Sequence, residues 1–111
     1  MGRFAPARML IECGVPVALA TDLNPGGGFS PSMPFVITVA CFQLGLTLDE
    51  ALIAATINAA CAIDRGDDVG SLEVDKQMDA VILRRGLYDL VRVGAPVIAA
   101  VIKKGRVVYK G

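Results

Sequence analysis

The run Val15-Pro16-Val17-Ala18-Leu19-Ala20 is apolar throughout and ends in Thr21-Asp22-Leu23-Asn24-Pro25-Gly26. Such a run reads as a buried strand, and the Pro/Gly-rich stretch after it as a loop. An acidic residue at the C-terminal end of a buried strand is where α/β barrels place catalytic groups. This pattern predicts a parallel-type strand over Val15–Thr21. It sets the Asp22 carboxylate toward the open end of the following loop.

Helical signals surround the strand. Met9, Leu10 and Cys13 are apolar at helical spacing, and Gly14 fits a helix stop. Ser32 or Met33 before Pro34 opens a second helix, apolar nearly all round from Phe35 to Leu44 and therefore expected to be buried. The Phe35/Phe42 pair reads as core. Gly45 ends that helix, and Thr47-Leu48-Asp49-Glu50 forms a capping-box pattern. Leu48, Ala51, Leu52, Ala55, Ala59 and Ala62 make one small-residue stripe, which Arg65-Gly66-Asp67-Asp68 terminates. After that the pattern becomes strand-like. Ser71–Val74 alternates, Asp75-Lys76 reads as a turn, and Ala80–Leu83 and Val97–Ile102 read as strands. Lys103-Lys104-Gly105 links the latter to Arg106–Tyr109 in a hairpin. The chain divides into a βα part over residues 1–68 and a β part over 69–111.

Composition narrows the function. The chain has 111 residues, one domain's worth and short for a whole barrel, which needs roughly 200 or more. It is 54% hydrophobic before its 12 glycines are added. Soluble domains reach about 45–50% with glycine included. The excess predicts a missing packing partner: the rest of a longer chain, or a second copy. Net charge is zero, from 11 basic and 11 acidic residues spread along the chain. No basic stripe points to nucleic acid. No apolar run reaches the about 20 residues a membrane span needs, and no signal-peptide core is visible at the N-terminus. Cys13, Cys41 and Cys61 form no paired spacing and read as buried, reduced thiols of a cytosolic protein.

Asp22 is the best candidate for chemistry. A carboxylate can ligate a divalent metal and accept a proton from water; it can also simply tighten a Gly/Pro loop. The chain has no histidine, so Ser30 and Ser32 have no base for a Ser-His-Asp mechanism. Gly26-Gly27-Gly28 could cradle an anion but lacks the Gly-Lys-Ser/Thr of a P-loop. Asn58 reads as a tie between a helix end and a neighbour.

Asp22, Asn24 and Gly26 reproduce the spacing that ends the last barrel strand of the imidazolonepropionase family. Pro6-Ala7-Arg8, the strand Gly14–Thr21, Ala55-Thr56-Ile57-Asn58-Ala59-Ala60, Val69–Val74, Lys76-Gln77 and the tail Ala100–Val108 also resemble that family, in order. The resemblance implies an α/β fold. The last strand and helices of an amidohydrolase (β/α)8 barrel would be followed by the C-terminal strands of a small β-sandwich. It implies a metal-dependent hydrolase that opens 4-imidazolone-5-propanoate with water to N-formimidoyl-glutamate, in histidine degradation. The cofactor would be zinc or iron. Asp22 would be metal ligand and proton shuttle; Asn24, Gly26 and Gly27 would hold the small-molecule substrate. Asp75 stands where the family usually has a turn glycine, and an Asp tolerates positive φ better than most residues. The family's histidine ligands and its substrate-binding Arg, Tyr and His belong to the larger, N-terminal share of its chain. Two other readings stand beside this one: a non-catalytic assembly module derived from an amidohydrolase, and a segment of another amidohydrolase such as a deaminase.

One carboxylate falls short of the three or four ligands a zinc site usually has. The chain alone is therefore expected to bind zinc weakly by calorimetry and to show no ring opening in an ultraviolet assay. Turnover by rigorously purified chain, abolished in Asp22→Ala, would overturn this.

Overall fold

Gly14 sits at φ 80° and closes a first short helix, α1 (Ala7–Glu12). Its N–H reaches the Ile11 carbonyl at 2.9 Å. In the computed structural model, which describes residues 5–23, 32–91 and 96–111, three more helices follow. In α2 (Met33–Gln43), Ser32 Oγ accepts from the Phe35 N–H and Pro34 occupies the first turn, as expected. Gly45, at φ 75°, follows its end. α3 (Leu48–Ala55) starts in the expected capping box. Thr47 Oγ1 accepts from Glu50 N at 3.2 Å, and Glu50 Oε1 accepts from Thr47 N at 2.9 Å.

The stripe from Leu48 to Ala62 does not form one helix. Thr56 (φ −116°, ψ −90°) separates α3 from α4 (Ile57–Ala62). The Thr56 hydroxyl donates to the Leu52 carbonyl at 2.6 Å, a back-bond that competes with helix continuation.

Two expected strands are not strands. The 15–23 segment has no ladder partner among the described residues. Its hydrogen bonds run to helices instead: Val15 N to Leu10 O and Leu19 N to Ala54 O, both 2.9 Å. A parallel strand needs a second extended segment alongside it, and the described sheet is built wholly from residues 80–110. The Ser71–Val74 alternation is overridden by local side-chain bonds. Ser71 Oγ donates to the Glu73 carboxylate, and Lys76 Nζ donates to Ser71 Oγ at 2.8 Å. The turn that follows carries Asp75 at φ 73°.

The strands β1 (Ala80–Leu83), β2 (Ile98–Lys103) and β3 (Arg106–Lys110) form an antiparallel sheet in the order β1-β2-β3. Val81 faces Val101, and Val101 faces Tyr109. Lys104 (φ 52°) and Gly105 (φ 77°) make the tight β2–β3 turn, the left-handed pair that matches strand twist in two-residue hairpins. Asp79 pins this turn. It accepts from Lys104 N, Lys103 Nζ and Gln77 Nε2, and Gly105 N donates to Met78 O at 2.9 Å.

The core is small. Ala7, Ile37, Ala40, Leu46 and Ala51 form its buried cluster. Leu90, in a 3-10 turn over Leu87–Val91, and Val97 are also buried. No large side chain is fully buried among the described residues. Phe35 is 49% and Phe42 70% exposed, so this pair is not core and α2 is only half covered. Phe42 in particular is left mostly uncovered by the described residues. Cys13 and Cys61 are likewise exposed rather than buried, and Cys41 is half-buried. Among the described residues no helix is long and apolar enough to cross a membrane. The chain exposes 7827 Å², against roughly 5,800 Å² for a compact monomer of this size.

That surplus includes Met9, Phe42, Ile53, Ile63, Leu72 and Val74. Contiguous apolar patches above a few hundred Å² drive association. Light scattering at micromolar concentration is expected to show oligomers, with binding of a hydrophobic dye. A monodisperse monomer that binds no dye would contradict this.

Candidate active site

The segment leading to Asp22 is extended and two-faced. Val17, Leu19 and Thr21 are partly buried, while Ala18, Ala20 and Asp22 are exposed. Val17 and Leu19 pack on the core cluster. Period-two alternation is that of a strand with one covered face, although no ladder forms. Asp22 thus ends the exposed row whose earlier members are the small residues Ala18 and Ala20. Its backbone is left-handed at φ 52°, a conformation Asp adopts more readily than most residues and one that recurs at functional sites.

Two ties hold the segment against the helices. Asn58 Nδ2 donates to the Val17 carbonyl at 2.9 Å. Leu19 N donates to the Ala54 carbonyl at 2.9 Å. Asn58 therefore joins a helix to a neighbouring segment, as its sequence context suggested. Asn24, Gly26 and Gly27 lie outside the described residues.

Behind the segment, α1 is bolted to α3. Arg8 donates from both terminal nitrogens to both oxygens of Glu50, at 2.7 and 2.8 Å, and reaches Gly45 O at 3.3 Å. Glu12 lies 3.4 Å from the Arg8 Nε. The Arg8 side-chain hydrogen bonds, then the Thr47 backbone N–H, lower the Glu50 carboxyl to about 2. Sequence reading missed this pair. Its one signal was the Glu of the capping box, whose second oxygen needs a donor from elsewhere. An open cleft of about 520 Å³ lies beside this pair, lined by Pro6, Arg8, Met9, Glu12, Gln43 and Leu44. Asp22 is not among its walls.

Among the described residues no three metal-ligating side chains converge. An exposed carboxylate suits one oxygen ligand of a divalent ion and does not hold one by itself.

The amidohydrolase family model matches residues 2–108. The chain belongs to the amidohydrolase family. It is 50% identical over 107 residues to the imidazolonepropionase of Symbiobacterium thermophilum, an alignment covering 95% of this chain and 25% of that one. It is 54% identical over 81 residues to that of Syntrophobacter fumaroxidans, covering 73% and 19%. It is 44% identical over 108 residues to that of Porphyromonas gingivalis, covering 96% and 26%. The chain thus spans about a quarter or less of the length of these relatives. Among solved structures it superposes on an amidohydrolase from Thermotoga maritima (TM-score 0.75, 24% identity, 94% of this chain and 25% of that one). It also superposes on a 5-methylcytosine deaminase from Klebsiella pneumoniae (TM-score 0.76, 23% identity, 96% and 28%). These two likenesses concern the fold. Amidohydrolases are generally metal-dependent.

Three lowered carboxyls set the acid behaviour: Glu50, Asp79 and Glu73, the last held down by the Ser71 hydroxyl and then by the Lys76 ammonium. Asp79 is lowered to about 2, first by the Lys104 backbone N–H, then by the Lys103 ammonium. The folded values of Glu50 and Asp79 lie below their ordinary 4.5 and 3.8. Such groups contribute stability that is present above the ordinary value and lost as pH falls through the folded one. The melting temperature is expected to be flat above about pH 5 and to fall between 4.5 and about 2. Glu50→Gln should lower it at neutral pH and flatten part of the acid limb; an unchanged acid limb in Glu50→Gln, Asp79→Asn would contradict this.

Proposed function

We propose that this chain is the segment of an imidazolonepropionase-like hydrolase that contributes one carboxylate to the active site. Residues 1–68 would complete a barrel, and residues 69–111 would belong to a β-sandwich. The observation that carries the reading is Asp22 at the end of the exposed Ala18–Ala20–Asp22 row, two residues before the start of Asn24-Pro25-Gly26. The 50% identity to an imidazolonepropionase over 107 residues supports it.

The chemistry fits a carboxylate in that place. Water adds to the carbonyl carbon of 4-imidazolone-5-propanoate, the ring C–N bond breaks, and the departing nitrogen takes a proton. Asp22 accepts the proton of the attacking water and returns it to that nitrogen, as general base and then general acid. A zinc or iron ion bound in the complete enzyme would supply Lewis-acid activation, and Asp22 would offer it one oxygen donor. Asn24 and Gly26 would orient the substrate, with the Gly27 backbone close to its ring. The remaining ligands would come from the rest of the enzyme, in a cytoplasmic setting.

In the complete enzyme, Asp22→Asn keeps the shape of the side chain and removes the base. Its kcat is expected to fall about 10²–10⁴-fold, with thermal stability close to that of the parent. Retention of parental kcat would remove Asp22 from the mechanism.

A further inference from the structure

The break between α3 and α4 has a geometric product. Ending α3 at Ala55 leaves its last carbonyls without helical partners. Leu52 O is taken by the Thr56 hydroxyl, and Ile53 O by the Thr56 N–H at 3.3 Å. Ala54 O is taken by Leu19 N. Two residues past the break, Asn58 turns its amide on the Val17 carbonyl. The helix junction therefore grips a C=O and an N–H two residues apart on the segment that ends in Asp22. Among the described residues these are the tertiary hydrogen bonds that fix residues 17–19. The Asn58 side chain is half-buried and spans 41 residues of sequence.

We propose that Asn58 is a positioning residue for Asp22: by holding the Val17 carbonyl it fixes where along the helix junction the exposed Ala18–Ala20–Asp22 row ends. This rests on the reading of Asp22 as the reacting carboxylate. Asn58 touches no reacting atom. Its role is to hold the register of a segment that lacks a ladder of its own in these residues. A misplacement of about 1 Å at a reacting group can lower the rate about 100-fold.

Two measurements test it together. Hydrogen exchange of the 15–23 peptide is followed in this chain as Asn58 and as Asn58→Leu, which has the same shape and no donor. Steady-state kinetics are followed in the complete enzyme carrying the same change. The expected result is exchange at least about tenfold faster in 15–23, and kcat lower by about 10–100-fold with KM within about twofold. Asn58→Gln, which keeps the amide on a longer stem, should recover part of both losses. Should Asn58→Leu not fold, Asn58→Gln and Asn58→Ser carry the comparison, with the same direction expected in both readouts. Faster exchange with parental kcat, or lower kcat with parental exchange in 15–23, overturns the proposal. So does a uniform loss of protection across the chain, the mark of a purely structural residue. Asp22→Asn, measured in parallel, separates the two ideas: parental kcat there removes the site reading, while the grip on 17–19 stands or falls on exchange alone.

Discussion

The Glu50 carboxylate is the joint on which the helical part depends. One oxygen accepts from the Thr47 N–H and starts α3; both accept from the Arg8 guanidinium and fix α1 against it. An ion pair this exposed contributes little by charge alone. Its value is geometric, because a planar fork meeting two oxygens allows one orientation. α1 runs through Gly14 into the segment that carries Asp22, and the far end of α3 receives the Leu19 N–H. Both ends of the candidate site are thus referred to one carboxylate.

Signals that act over a few residues were legible. The capping box, the Ser32-Pro34 start of α2, the glycines at 14 and 45, and the Lys104-Gly105 turn each encode a backbone angle or a cap, and the neighbouring atoms suffice to satisfy them. Asp75 adopted the positive φ that its place in the turn demanded. What failed was non-local. Val15–Thr21 has the apolarity and alternation of a strand, yet being a strand depends on what lies alongside. The stripe through Ala62 has helical period, but Thr56 found a better partner for its hydroxyl. Phe35 and Phe42 have core chemistry, and the described residues cover them only in part. For the site, the tie made by Asn58 could be read from the sequence; the Arg8–Glu50 joint, 42 residues apart, could not.

The core explains the composition. Its buried members are mostly alanine, with Ile37 and Leu46, so helices approach closely while large apolar side chains point outward. That is economical inside a bigger assembly, where neighbours fill the outer face, and wasteful for a free domain of this size. A chain matching about a quarter of its relatives' length carries the surface chemistry of an interior piece.

The separation of the tertiary ties along the chain orders their formation. The β2–β3 hairpin joins residues across a two-residue turn, and Asp79 locks it from nearby. The Arg8–Glu50 and Val17–Asn58 contacts close loops of 42 and 41 residues, each at an entropic cost of about 3 kcal/mol from loop length. Contacts of that range come after local ones. The hairpin therefore closes at a lower entropic cost than the contacts that hold the stretch bearing Asp22.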